Sequence, residues 1–371
     1  MEQRLTSTVL ESEGDPASLS FGFVGLGGMG ALHASNLAEI GVSIAAGTDV
    51  SDPARKAFAD EYDANTFEQA ETMFDQSELD GVIIATPNAF HEPTAVAALE
   101  HDVNVLVEKP LADTVEKAES IADAADRSNA FCMVGLHNRF TGAADLFKHF
   151  QGEDRFGELS HIEANYLRRR GIPGLDSWFT SKELAGGGAL IDIGVHVLDF
   201  VLYLAGSPAV EEVTGAVRTN FGHRTDYADP DNWSSNWSDS NGQFDVEDSA
   251  TAFIRCENEL TIALDVAWAS NRTPKREIVV RGTEAGATMQ LGGESIEINS
   301  AMAQPHDHYI TSEYTGERTV VGHRAEVEFF VSSILEETAP SINTVDDGLK
   351  VQRVLDAIYR SSDEGKAISL H

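Results

Sequence analysis

The sequence predicts an α/β protein in two parts: a doubly wound parallel-sheet domain, then an α+β domain with an open, mainly antiparallel sheet. Three observations carry this. The length of 371 residues suits two domains at roughly 150 residues each. Up to about residue 141, short apolar runs alternate with amphipathic stretches of helical length, the rhythm of parallel strands joined by crossover helices. Beyond it, strand-like runs succeed one another with few helices between, as antiparallel neighbours do.

Taken in order, Phe21 to Gly28 reads as a buried strand running into a glycine turn, followed by a helix from Met29 to Ile40. Val42 to Asp49 is the second strand, and Asp52-Pro53 opens the next helix, proline being well placed in a first turn. Asp80 to Thr86 is a strand broken by Pro87; helix 91–101, strand Val103 to Glu108, helix 114–128 and strand Ala130 to Gly135 complete the alternation. In the second part Leu159–Leu167, Val210–Phe221, Ser249–Cys256, Leu260–Ala269, Lys275–Gly282 and Thr288–Leu291 read as strands, with Cys256-Glu257-Asn258-Glu259 as a hairpin turn. Helices are expected over Ala189–Leu204, 322–337 and 345–362. Gly222 to Phe244, rich in Ser, Asp, Asn and Gly and carrying Trp233 and Trp237, reads as a long loop. The expected division is a flexible acidic leader over 1–20, a dinucleotide-binding domain over 21–141, and a substrate-binding and oligomerisation domain over 142–371.

Composition narrows the function. Against 26 Lys and Arg stand 61 Asp and Glu, a formal charge of −35, spread along the chain. Such a field repels nucleic acid and anionic membranes. It also predicts a protein of a salt-rich cell, since molar salt shrinks the Debye length to about 3 Å and relieves self-repulsion. No apolar run approaches the roughly 20 residues of a transmembrane helix. Met1 to Ser20 lacks the basic start and apolar stretch of a secretory signal, so a cytoplasmic protein is expected. Cys132 and Cys256 are read as buried free thiols.

Gly25-Leu26-Gly27-Gly28-Met29-Gly30 matches G-x-G-x-x-G directly after a strand and at the mouth of a helix. Glycines there permit a tight turn and close approach of backbone to a pyrophosphate, held against the positive end of the helix dipole. The second strand ends at Asp49, 19 residues after Gly30, where a carboxylate accepts from an adenosine ribose. Together these predict a Rossmann domain binding NAD. The same carboxylate repels a 2′-phosphate, which leaves NADP as the alternative; Arg55, read as lying on an exposed helix face, does little to offset it.

Glu108-Lys109-Pro110 ends the fourth strand, at the edge where doubly wound sheets place ligands; Lys109 there can bond a substrate hydroxyl. Gly186-Gly187-Gly188 precedes Asp192, Gly194, His196 and Asp199. Asp192 and His196, four apart on a helix, share a face. A carboxylate one turn from an imidazole can fix its tautomer and make it a better base; a satisfied core histidine fits the spacing equally well.

These residues, with Thr86-Pro87-Asn88 and His91, Val246-Glu247-Asp248, and Ala357-Ile358-Tyr359-Arg360, resemble the glucose-fructose oxidoreductase, inositol dehydrogenase and MocA family. The resemblance implies a reversible NAD(P)-dependent oxidation of a secondary or anomeric hydroxyl of a sugar or polyol. It implies Lys109 and His196 at the reacting hydroxyl with Asp192 in support, in a site between the domains. Gly25, Gly27, Gly28, Met29, Gly30, Asp49, Thr86, Pro87, Asn88, His91 and Glu108 are then the cofactor-binding set. The family's open sheet implies a homo-oligomer, dimer or tetramer. A regulator that binds nucleotide and sugar without turnover is the alternative, disfavoured by the intact Lys109, Asp192 and His196.

Arg168-Arg169-Arg170 stands out where basic residues are scarce. On a strand, Arg168 and Arg170 would face one way and hold an anionic or polyhydroxylated substrate, with Trp178 as a flat stacking face. Pairing with carboxylates is the blander reading and the favoured one. His306-Asp307-His308 lacks further ligands, so no metal is expected.

Overall fold

The computed structural model describes residues 14–370 other than 176, 232, 234–243 and 317. Residues 1–13 of the expected leader and Trp237 lie outside them. Two compact units are present. One runs to His137 and takes in Thr319–Gln352; the other comprises Asn138–Arg318 and Arg353–His371.

The first unit is a six-stranded sheet in the order β3-β2-β1-β4-β5-β6, every adjacent pair parallel. The strands are β1 (Ser20–Val24), β2 (Ser43–Thr48), β3 (Asn65–Phe67), β4 (Gly81–Ile84), β5 (Asn104–Glu108) and β6 (Cys132–Gly135). The crossovers are α1 (Gly28–Glu39), α2 (Asp52–Tyr62), α3 (Ala70–Gln76), α4 (His91–Glu100) and α5 (Val115–Arg127). The sheet is covered on both faces, which is why β4, β6 and the centre of β5 read as apolar runs without alternation; Val82, Ile84, Val105, Val107 and Val134 are buried in one cluster. Sequence patterning places the end of this domain near 141, yet residues 319–352 also belong to the unit. Phe330 meets Phe21 of β1 edge-on at 5.8 Å between ring centroids, and Asn343 donates its side-chain amide to buried Glu326 at 3.0 Å. A face of β1 and α1 needs an apolar cover, and the chain supplies it only near its end.

The second unit begins with α6 (Gly142–Gly152) and is built on a nine-stranded sheet. Its strands are β7 (Leu159–Leu167), β8 (Val210–Arg218), β9 (Ser249–Cys256), β10 (Thr261–Ala267), β11 (Glu277–Gly282), β12 (Ala285–Gln290), β13 (Ser295–Met302), β14 (His308–Thr315) and β15 (Ile368–Ser369). Their order is β14-β13-β12-β11-β7-β10-β9-β8-β15. Only β7 and β10 run parallel among the described pairs; the others are antiparallel. The hairpin at Asn258 and Glu259 uses left-handed backbone at both residues (φ 56° and 61°), the conformation a two-residue turn requires. Burial alternates along β9 and β10, so one face of the sheet meets the core.

Short α7 (Lys182–Ala185) leads through a glycine turn to a π-turn at Leu190–Gly194 and then α8 (Val195–Leu204). The stretch Lys182–Leu204 is, by length and composition alone, apolar enough to cross a membrane, which corrects the expectation that no run approaches that length; 83% of its apolar window is buried within the protein. Two helices follow the sheet, α9 (Gly322–Leu335) and α10 (Val345–Glu364).

The charge of −35 yields an expected result here. Thermal midpoint rises substantially from low salt to about 1 M KCl, as the Debye length falls from about 30 Å at 0.01 M to about 3 Å. A midpoint that does not move, measured by circular dichroism, removes the inference of adaptation to salt.

Candidate active site

The glycine loop joins β1 to α1. Gly25 adopts φ 90°, and a Cβ there would lie 2.6 Å from the Ala85 carbonyl oxygen, so the turn itself demands glycine. Gly27 and Gly28 differ: both are exposed, and a Cβ on either would meet no atom of the described residues within 4 Å. Protein packing does not require glycine at these two positions. The open space beside an α1 N-terminus that no side chain caps is what a pyrophosphate needs to reach the first amide groups of the helix. Met29 is exposed in the same turn.

Asp49 follows β2. Its Oδ2 accepts from the Leu26 amide at 2.8 Å and its Oδ1 from the Ser51 amide at 2.8 Å. The carboxylate therefore fixes the glycine loop and keeps lone pairs for a ribose. Arg55 does not lie on an open helix face: it donates to the Asp49 carbonyl at 2.6 Å and to Asp52 at 3.3 Å.

At the ends of β4 and β5, Thr86, Pro87 and buried Asn88 form one lip, and Glu108-Lys109-Pro110 the other. His91 is fully buried, with Nδ1 2.9 Å from the Pro110 carbonyl oxygen and Nε2 3.0 Å from that of Thr86. It ties the two lips together from below; burial holds its pKa under the ordinary value despite both carbonyls. Glu108 is likewise turned inward, its Oε1 2.7 Å from His33 Nε2. Burial raises this carboxyl, but the hydrogen bond and charge of His33, with His323 and Lys109, outweigh it and bring the pKa to about 2. Lys109 is half-buried, its amide donating to Glu108 Oε2 at 3.2 Å.

In the second unit the π-turn carries Asp192 and α8 carries His196. Asp192 Oδ2 accepts from Trp268 Nε1 at 2.8 Å and lies 3.9 Å from Arg168 Nη1. His196 Nδ1 is 3.3 Å from the side-chain nitrogen of Asn138. With that amide donating, the neutral ring carries its proton on Nε2; with the amide reversed, Nδ1 holds the proton and Nε2 is a base. Asn138 and Trp268 had no sequence signal, because each acts through a neighbour distant in the chain.

The start of this helix is set by Glu247. Its buried carboxylate accepts from the amides of Gly188 (2.9 Å) and Leu190 (2.8 Å) and from the Tyr359 hydroxyl (2.9 Å). Two motifs far apart in the sequence thus meet on the glycine triplet. A Cβ on Gly188 would lie 1.9 Å from the Glu247 carbonyl oxygen, so the close approach requires glycine. Burial raises the Glu247 carboxyl and, with Glu247 beside it, lifts the Tyr359 hydroxyl well above its ordinary value.

The arginine triplet lies beyond β7, which ends at Leu167, so the expected strand alternation does not apply. Arg168 bonds the Gly171 carbonyl at 3.2 Å and stacks over Trp233 at 5.0 Å. Arg170 donates to the carbonyls of Ala228 (2.7 Å) and Ser270 (3.1 Å) and to Asn271 (3.1 Å), which fixes it as a loop pin. Trp178 stacks on Phe179 at 3.9 Å. Arg168 is the member of the expected substrate set that adjoins Asp192.

Residues 19–136 match the oxidoreductase family with an NAD-binding Rossmann fold, and residues 147–288 match the GFO/IDH/MocA C-terminal domain. A putative UDP-kanosamine synthase oxidoreductase subunit of Amycolatopsis mediterranei is 30% identical over 247 residues, 66% of each chain. D-glucoside 3-dehydrogenase of Escherichia coli is 28% identical over 320 residues, 85% of this chain and 86% of its own. A levoglucosan dehydrogenase solved with NADH and levoglucosan superposes with a TM-score of 0.80 at 24% identity, covering 95% of this chain and 99% of that one. The two family matches take in more than half the chain, the first spanning the parallel sheet and the second the larger part of the nine-stranded one, and the chain belongs to the GFO/IDH/MocA oxidoreductase family.

Proposed function

We propose that the chain oxidises a secondary ring hydroxyl of a sugar or polyol, with NAD as hydride acceptor and Lys109, Asp192 and His196 serving the reacting hydroxyl. The observation that carries the reading is the match along 85% of the chain to a D-glucoside 3-dehydrogenase. When bound, the nicotinamide accepts hydride from the carbinol carbon. Gly27, Gly28 and Met29 hold the pyrophosphate on the open end of α1, and Asp49 takes the adenosine ribose. His196 or Lys109 takes the hydroxyl proton. Asp192, fixed by Trp268, supports the imidazole, and Arg168 beside it contacts the sugar. We extend the reading to a homo-oligomer, for which the open nine-stranded sheet is the support, and to a salt-rich cytoplasm, for which the charge of −35 is the support; the same charge disfavours nucleic acid and anionic membranes.

The test is a screen of glycosides, aldoses and inositols with NAD in molar KCl, followed by the absorbance of NADH. Turnover of a ring alcohol is expected. Tight NAD and sugar binding without NADH formation would replace the enzyme with a regulator.

Cofactor preference is a separate expectation. Wild-type kcat/KM is at least about tenfold higher with NAD than NADP, a difference of about 1.4 kcal/mol. Asp49→Ala narrows the ratio and weakens both cofactors, since the Leu26 amide loses its acceptor. A wild-type preference for NADP overturns this role for Asp49. The comparison is run at low and high salt because screening blunts charge discrimination.

A further inference from the structure

Beside the dinucleotide loop, the first unit contains a group of imidazoles that hydride transfer leaves unused. His33 of α1 is fully buried; its Nε2 meets Glu108, and its Nδ1 is buried with no hydrogen-bond partner. His323, in the first turn of α9, also has a buried Nδ1 without a hydrogen-bond partner, 3.7 Å from Glu326 Oε2. The donor atoms of His33, Glu108 and His323 all lie within 4.8 Å of one another. The His137 ring covers that of His323 at 3.8 Å between centroids, and the His33 ring meets His323 edge-on at 5.5 Å. Buried polar atoms left unbonded are costly and rare in folded proteins; here each of the two imidazoles that share the group with Glu108 keeps one such nitrogen, that of His33 on the ring edge away from its Nε2 contact with Glu108.

We propose that His33, Glu108 and His323 form a site for a zinc-class divalent cation that clamps α1, the end of β5 and α9 together. Two imidazoles and one carboxylate suit a borderline metal, at about 2.0–2.2 Å per ligand, with a fourth position for water. Around a tetrahedral ion, such donors sit roughly 3.3 Å apart. The three atoms, now within 4.8 Å of one another, converge on binding, and the ion takes the place of the His33–Glu108 hydrogen bond. Lys109, next in sequence to Glu108, opposes the cation and moderates its affinity, while the Glu108 carboxylate offsets that charge. The clamp is independent of whether the chain turns over a sugar.

The test uses the full chain, stripped with a chelator, in molar KCl. His306→Ala and His308→Ala are introduced first, because exposed His306 and half-buried His308, two residues apart, can collect zinc on their own. Calorimetric titration with Zn²⁺ is expected to give one ion per chain and a raised melting temperature, and Co²⁺ to give the visible spectrum of a tetrahedral site. His323→Ala lowers the affinity at least about 100-fold, beyond the 10- to 100-fold typical of outer-sphere partners, and abolishes both the spectrum and the thermal shift. If that variant does not fold, Glu108→Gln replaces it, keeping the shape while removing the anionic ligand, with the same losses expected. No stoichiometric binding by the parent, or unchanged affinity in the variant that folds, overturns the proposal and leaves the cluster a buried hydrogen-bonded core.

Discussion

His196→Ala and Lys109→Ala are each expected to lower kcat by roughly 10²-fold or more, the usual scale of general acid–base assistance. NAD affinity, measured by direct titration, changes little, because neither side chain is assigned to the pyrophosphate or the ribose. The split matters: a change that merely loosened the Rossmann unit would weaken NAD as well. Asp192→Asn acts more mildly. It keeps an acceptor for Trp268, whose indole bonds Asp192 at 2.8 Å, but loses the charge proposed to support the imidazole, so the pH profile of kcat is expected to shift while turnover persists. Asn138→Ala should resemble Asp192→Asn, since its amide lies on His196 Nδ1 and governs which ring nitrogen carries the proton. Near wild-type kcat in both alanine variants would make Lys109 and His196 structural and end the proposed proton chemistry.

What the sequence discloses about this protein is what local chemistry enforces. The dinucleotide loop was legible because a turn, a helix start and a carboxylate must follow one another at fixed intervals, and Gly25, Gly30 and Asp49 do. The parallel strands were legible because both faces are buried, so β4 and the centre of β5, Val105 to Val107, are apolar. Strands β13 and β14 were missed: their alternation mixes exposed Glu, Asn and Thr with single apolar residues, and that pattern resembles a polar loop. The return of residues 319–352 to the first unit carries no local signal at all, since it depends on which apolar surface remains uncovered once β1 and α1 have formed. The same holds for Glu247 and Tyr359. Their motifs were visible, but not that both end on Gly188 and its neighbours. His33, His137 and His323 are scattered across the chain with no ligand spacing to reveal them. Asp192 and His196 were placed on one regular helix, whereas Asp192 lies within a π-turn at Leu190–Gly194 and His196 in the α-helix that follows it, a distortion common near functional sites.

The largest effect on stability is expected at Asp199, one residue of that apolar helix whose charge the sequence leaves unexplained. It is buried with Arg139, and their side chains meet through Nε at 3.1 and 3.2 Å and Nη2 at 2.6 Å; 4% of the Arg139 side chain and 1% of the Asp199 side chain is exposed. Arg139 also lies over the Tyr203 ring at 4.9 Å. Removing one partner leaves the other charge in the core without compensation, at a cost of about 3–5 kcal/mol. Asp199→Ala is therefore expected to lower the urea midpoint far more than a surface carboxylate substitution, even in molar salt, because a buried pair is little screened. Arg139→Met combined with Asp199→Leu should regain much of the loss, since an apolar pair of similar volume leaves no charge behind. Stability and activity then separate. Asn138 precedes Arg139 and reaches His196, so the double variant, though folded, should keep a raised KM or lowered kcat if the ion pair also positions that amide. A loss below about 1 kcal/mol for Asp199→Ala, or a double variant no more stable than the single one, would mean that the pair does not carry the energy its burial implies.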